Sequence, residues 1–169
     1  MELKLRPMVS SDAGTFAGWA SDPVFRAHAG WSEDATFEDL AEWWAAHIAN
    51  PGPHLIRLSA VFGDDVVGYV DTHGDAEETR ELGFVVGPSS RWGQGWGTLA
   101  ASAGVEYGFE VLGLSSLWAE AVEANVGSLR VLERIGMTPI GTGDEDVFLG
   151  AKSTYSRFML SRQDWARRQ

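Results

Sequence analysis

The order of periodicities along the chain predicts an α+β fold: one mixed, mostly antiparallel sheet flanked by helices. Three observations carry this. Two strand-like runs, His54 to Phe62 and Val66 to Asp71, flank the turn residues Gly63-Asp64-Asp65, and a third run, Glu81 to Val86, follows them, which makes an antiparallel meander. At Gly95 the apolar spacing changes from every second residue to every third and fourth, so a helix starts directly after the meander. The complete order, β-α-α-β-β-β-α-β-α-β-β, lacks the strict alternation of a doubly wound parallel sheet.

Taken in order, Glu2 to Arg6 alternates polar and apolar residues and stops at Pro7, and Ser10-Ser11-Asp12 offers N-cap chemistry for a first helix. Thr36 caps a second helix, in which Phe37, Leu40, Ala41, Trp44 and Ile48 recur on one face until Asn50-Pro51-Gly52-Pro53 ends it. After the meander, Trp96, Ala100, Ala103, Tyr107 and Val111 mark one face of the helix that closes at Leu112-Gly113. Leu117 to Val122 reads as a strand and Ser128 to Ile135 as a helix stopped by Gly136. Met137 to Gly141 and Ser153 to Leu160 read as the closing strands.

A chain of 169 residues with 44% hydrophobic content is sized for one domain, expected to span residues 1–169. No stretch reaches the roughly 20 apolar residues of a membrane helix, and Met1 to Arg6 lacks the apolar run of a signal peptide, so a cytoplasmic protein without membrane contact is expected. The absence of cysteine removes disulfides, thiolate zinc sites and acyl transfer through a cysteine thioester. The four histidines are scattered, and no metal site is expected. With 24 acidic against 13 basic residues the formal net charge is -11, which repels nucleic acid and either only keeps the chain soluble or also draws a cationic ligand. The expected assembly is a monomer or homodimer.

The segment Arg91-Trp92-Gly93-Gln94-Gly95-Trp96-Gly97-Thr98 joins a strand to a helix. Glycine at three alternate positions lets backbone N–H groups approach an anion that the helix N-terminus also attracts, as a pyrophosphate requires; the plainer reading is a tight turn that needs glycine for its backbone angles. A dinucleotide site is disfavoured, because the spacing is Gly-x-Gly-x-Gly and a meander precedes it, although Glu120 stands where a ribose-binding acid belongs. No Gly-Lys-Ser/Thr follows for a nucleotide P-loop. Coenzyme A is the anionic ligand left that fits best.

The residues resemble the GNAT N-acetyltransferase superfamily, in particular its RimJ/RimL branch, over nearly the whole chain. Leu5-Arg6-Pro7 with Asp12-Ala13 is similar to the branch's opening, Glu81-Leu82-Gly83-Phe84 to the strand before its coenzyme A turn, Trp92 to Thr98 to the turn itself, and Tyr107-Gly108-Phe109 to the continuation of its helix. Asn125 to Met137 resembles the second signature, an Asn, a Ser three positions on, and a closing Gly with Phe, here Met137. Trp92 stands at the position that commonly holds glutamine or arginine, with Arg91 beside it as a source of positive charge, and Leu99 replaces a frequent glutamate. Leu132 occupies the place where many members carry the tyrosine that protonates the departing thiolate, and leucine cannot do so.

The resemblance implies direct transfer of an acetyl group from acetyl-CoA to a primary amine, either a protein N-terminus or a small, cationic amine. Such transfer needs an unprotonated nucleophile, stabilisation of an oxyanion and a proton for sulfur. It also implies that the strand ending at Val86 splays from its neighbour near Gly87 and leaves backbone groups of Phe84, Val85 and Val86 to the pantetheine arm and the thioester oxygen. Arg91, Trp92, Gly93, Gln94, Gly95, Trp96, Gly97, Thr98 and Asn125 complete the expected cofactor site; Asn125 equally reads as a helix cap. Ser128 is the expected group near the sulfur and Glu81 the expected base, with His73 as another candidate. Among the aromatic residues of the first helices, Trp31 is expected on the acceptor pocket, and Asp144 and Glu145, with Asp146, between the last strands, are expected to hold a cationic amine. A catalytically silent acyl-CoA-binding module is the competing reading, which Leu132 and Leu99 favour.

Overall fold

The computed structural model describes residues 2–169. Seven strands form one sheet: β1 (Leu3–Pro7), β2 (Leu55–Phe62), β3 (Asp65–His73), β4 (Thr79–Val86), β5 (Ser116–Val122), β6 (Thr138–Phe148) and β7 (Ala151–Ser161), ordered β1-β2-β3-β4-β5-β7-β6. All pairings are antiparallel except β4 with β5. That pair holds only from Thr79↔Ser116 to Glu81↔Trp118. The splay therefore opens directly after Glu81 rather than near Gly87, and Leu82 to Val86 runs on without a ladder partner on its β5 side.

The helices are α1 (Asp12–Trp19), α2 (Pro23–Ala29), α3 (Phe37–Ala49), α4 (Trp96–Glu106), α5 (Val126–Arg134) and α6 (Arg162–Ala166), with a π turn at Tyr107–Val111 prolonging α4. Helix α3 starts as its sequence predicts, with Thr36 and Asp39 exchanging a capping box. Two short helices were not expected. In α2 the Asp22 carboxylate accepts from the N–H groups of Val24 and Phe25, Pro23 opens the helix, and Gly30 ends it at φ 67°. Ser161 caps α6 by accepting from the Asp164 N–H.

One face of the sheet carries α4 and α5. Its core includes Val70, Leu82, Ala100, Val105, Phe109, Leu117, Leu132 and Phe158. Helix α4 lies close because Gly104 has no side chain: a Cβ there would stand 2.6 Å from Val70 Cγ1 and 2.8 Å from Leu82 Cδ1. The other face carries α1 to α3 on an aromatic core of Phe16, Trp19, Phe25, Trp44 and Tyr69. Phe16 meets Trp44 at 4.6 Å and Tyr69 at 5.4 Å between ring centroids. Arg6 and Asp12 tie β1 to α1 through bonds of 2.7 and 2.8 Å, and the buried Asp12 carboxylate also accepts from Ser59 and the Val9 N–H.

Candidate active site

Two cavities adjoin at the splay. The larger, about 610 Å³, lies between the glycine turn and α5, and its lining includes Phe84, Val85, Val86, Trp92, Gly93, Gly95, Gly97, Thr98, Asn125 and Ser128. The smaller, about 320 Å³, fills the gap between β4 and β5 and reaches the β6–β7 hairpin. Phe84, Asn125, Ser128, His28 and Ala29 line both, so the two spaces meet where the strands part.

The glycines of the turn act differently from one another. Gly93 and Gly95 have φ of 74° and 90°, a region that disfavours side chains, and Gly95 is the N-cap of α4 with no side-chain cap bond. The first N–H groups of α4 are thus left for an external acceptor at the positive end of the helix dipole. Gly97 instead admits α5, since a Cβ there would stand 3.2 Å from Val131 Cγ2. Thr98 Oγ1 is buried with no partner among the described residues, in the wall of the larger cavity. Arg91 is outside the lining of this cavity, and its guanidinium donates to the Gly87 carbonyl at 2.7 Å. Arg130 and Arg134, one turn apart on α5, line it instead.

Other side chains of the turn serve the scaffold. Trp92 Nε1 donates to the Val86 carbonyl at 2.8 Å, so that carbonyl is not free as expected. Gln94 Nε2 donates to the Ser90 carbonyl, and Trp96 packs edge-on against Phe62 at 4.9 Å, away from the cavity. Asp22, besides capping α2, accepts from the Ser89 N–H at 2.7 Å and so joins α2 to the turn. Asn125 caps α5 by accepting from the Ser128 N–H at 3.2 Å while also facing both cavities.

The smaller cavity is acidic on its sheet side. Glu81, Glu120 and Asp146 line it with Tyr155 and Phe148. Burial, then the negative charge of Glu120, pushes the Glu81 carboxyl above the usual carboxylate range, against the opposing pull of His73 and Arg157. Arg157 Nε donates to Glu120 Oε2 at 2.8 Å. Tyr155 donates to Asp146 Oδ2 at 2.9 Å, and partial burial followed by that bond pushes its hydroxyl up to about 12. Leu132, fully buried, contributes an apolar wall and no proton. His73 is an exposed neighbour, 4.0 Å from Glu81 and outside both cavity linings.

Three expected acceptor residues lie elsewhere. Trp31 packs into the aromatic core, 5.2 Å from Phe25 and 6.0 Å from Trp44 between centroids, and lines neither cavity. Asp144 and Glu145 are exposed on β6, which is a longer strand than expected; of the acidic trio only Asp146 reaches the cavity lining. Arg130, Arg134, His28, Phe148 and Tyr155 were missed. The two arginines were legible as positions i and i+4 of a helix after a cap; the others come from segments distant in sequence. Among the described residues no group of three or more His, Cys, Asp or Glu is placed to hold a metal ion, and no helix is long and apolar enough to cross a membrane.

The family model for the acetyltransferase (GNAT) domain matches residues 2–138. The chain belongs to the GNAT acetyltransferase family. The matched model describes an acetyltransferase domain. It is 38% identical over 91 residues to an uncharacterized N-acetyltransferase, YnaD, of Bacillus subtilis (strain 168), a match covering 52% of this chain and 53% of that protein. The match thus spans about half the length of this curated relative. The fold is shared with spermidine N-acetyltransferase from Vibrio cholerae, solved with CoA and spermine, at a TM-score of 0.80 and 16% identity over 98% of both chains. It is equally shared with aminoglycoside acetyltransferase AAC(6')-Ib, solved with coenzyme A, at a TM-score of 0.78 and 18% identity over 98% of both.

Proposed function

We propose that this GNAT member, with residues 1–169 acting as one cytoplasmic domain of the RimJ/RimL branch, moves the acetyl group of acetyl-CoA directly to a primary, cationic amine. The observation that carries the reading is the meeting of two chemically different cavities at the splay: one with glycines, a helix N-terminus and two arginines, the other with three carboxylates.

The larger cavity fits coenzyme A. Arg130, Arg134 and the open N–H groups of α4 supply positive potential for its phosphates, and the Thr98 hydroxyl, which has no partner among the described residues, supplies a donor. The unpaired edge of β4, through Phe84 and Val85, offers backbone groups to an extended amide chain. Bound there, acetyl-CoA supplies an activated acyl carbon. Ser128, facing both cavities, is the hydroxyl placed to donate a proton at the junction, since Leu132 cannot. Glu81 is placed on the acceptor side to take a proton from the incoming ammonium, and its raised proton affinity suits it to that task. Asp146 and Glu120 provide the charge that draws the amine in. The fold matches do not choose among a polyamine, an aminoglycoside or a protein N-terminus, since spermidine and aminoglycoside enzymes match this chain equally well.

The test is acetyl-CoA-dependent release of free thiol across a panel of amines that includes spermidine, an aminoglycoside and an alanine-initiated peptide. Binding of acetyl-CoA without turnover on any of them would favour the silent acyl-CoA-binding module. Wild-type turnover by Ser128→Ala and Glu81→Gln would remove these two residues from the mechanism while leaving the family intact.

A further inference from the structure

Glu81 is the last residue of β4 to pair with β5, opposite Trp118. Two residues further on, with the strand alternation of two, Glu120 emerges on the same face as Trp118. Glu81 and Glu120 thus look into one cavity from the two strands that part there. Arg157, the register partner of Glu120 on β7, donates to it at 2.8 Å, and its guanidinium lies over the Trp118 ring, 5.6 Å from the centroid. Gly143 of β6 covers the pair: a Cβ there would stand 2.9 Å from both Arg157 Nε and Glu120 Oε2. A partly exposed ion pair is therefore held next to the Glu81 cavity, with an aromatic ring on one side and backbone on another.

We infer that Glu120 and Arg157 act as an opposed positioning pair for Glu81, Glu120 standing as a like charge in its cavity and Arg157 as the counter-charge bound to that carboxylate. This rests on the reading of Glu81 as the base. The remaining charged groups facing Glu81 are paired or more exposed. From β3, Asp71 is held by Arg57 at 2.6 and 2.9 Å, and His73 stands 4.0 Å away, largely exposed. From β6 and β7, Asp146 is engaged by Tyr155, and from α2 the His28 ring is packed between Trp92 and Phe148. A like charge sharing a cavity raises a carboxyl's proton affinity and an opposite charge lowers it. Removing the two members of the pair must then move Glu81 in opposite directions.

The experiment follows the Glu81 carboxyl by ¹³C NMR in glutamate-labelled protein, its signal assigned by loss in Glu81→Gln. Glu120→Gln is expected to lower the Glu81 midpoint, and Arg157→Gln to raise it, each by about half a pH unit or more. The charge-conserving variants Glu120→Asp and Arg157→Lys are expected to return it towards wild type, and they keep the test open should either neutral variant fail to fold. Unmoved midpoints, or shifts of the same sign, would overturn the inference. The acidic limb of kcat/KM, read by thiol release with spermidine as probe amine, separates this from the role of Glu81. A midpoint that moves while the limb does not leaves the pair intact and removes Glu81 as base.

Discussion

Gly104 offers the sharpest test of how α4 is seated. In Gly104→Ala the new Cβ would meet Val70 Cγ1 at 2.6 Å and Leu82 Cδ1 at 2.8 Å, both below the closest approach of real carbon atoms, and both neighbours belong to the packed core. Replacing a helical glycine by alanine contributes about 0.8–1.0 kcal/mol through propensity, whereas overpacking a full core costs about 1–3 kcal/mol. The net expectation is a loss of about 1 kcal/mol, or about 2–4 °C in Tm for a chain of this size. Gly14 of α1 is the control, because nothing lies within 4 Å of its Cβ position. Gly14→Ala should gain about 0.5 kcal/mol by the same propensity argument. Urea unfolding of both variants reads the difference in midpoint at unchanged slope. Lifting α4 also displaces its first turn, so acetyl-CoA affinity should fall in Gly104→Ala and hold in Gly14→Ala. A Gly104→Ala protein as stable as wild type would refute the claim that side-chain absence seats this helix.

Arg130→Ala and Arg134→Ala should each raise the KM for acetyl-CoA several-fold with a smaller effect on kcat, and flatten its dependence on salt, as steady-state kinetics at two ionic strengths will show. Asp146→Asn should raise KM for a dicationic amine more than for a monocationic one, because the carboxylate and its Tyr155 bond lie in the acidic cavity. Burial works to raise the Asp12 carboxyl, but the bonds from Arg6, Val9 and Ser59 outweigh it and leave it below its ordinary value. A lowered folded-state pKa gives stability that is present above the unfolded value near 3.9 and lost as pH falls through the folded one. Asp12→Asn should therefore cost about 2 kcal/mol at pH 7, the scale of charged hydrogen bonds, and the gap to wild type should close below about pH 4 in urea titrations.

The sequence was most informative where local chemistry decides structure. The Gly63-Asp64-Asp65 hairpin, the Thr36 cap and the helix after Gly95 each depend on residues within a few positions of one another, and each is where its pattern places it. Helix α2 was legible in Asp22-Pro23, a cap followed by a first-turn proline, but with seven residues it has no long apolar stripe to announce it. The extension of β6 through Asp144 to Phe148 was hidden for another reason. It is an edge strand, exposed almost throughout, so the alternation that reveals half-buried strands is absent. In the site, the backbone half of the turn was readable from glycine, whereas the orientation of Arg91, Gln94 and Trp96 was not. Each of these side chains is directed by a carbonyl or a ring that the local sequence does not reveal.

The two halves of the candidate site differ in what family membership says about them. The family model ends at residue 138, and everything needed to build the larger cavity precedes that point: β4, the glycine turn, Asn125 and α5. The smaller cavity borrows Glu81, Glu120 and Leu132 from the matched region, but Asp146, Phe148 and Tyr155 come from the β6–β7 hairpin beyond it. Arg157, which restrains Glu120, lies there as well. The hairpin is attached through β7 to the far side of the splay, so its side chains can change without disturbing the strands and helix termini that line the larger cavity. A backbone shared with spermidine and aminoglycoside enzymes at 16% and 18% identity therefore does not specify the acceptor. Grafting the hairpin residues 138–161 onto a relative of known acceptor should accordingly carry amine preference with it and leave the KM for acetyl-CoA in place. Transfer of cofactor affinity instead would place the division of labour elsewhere in the sheet.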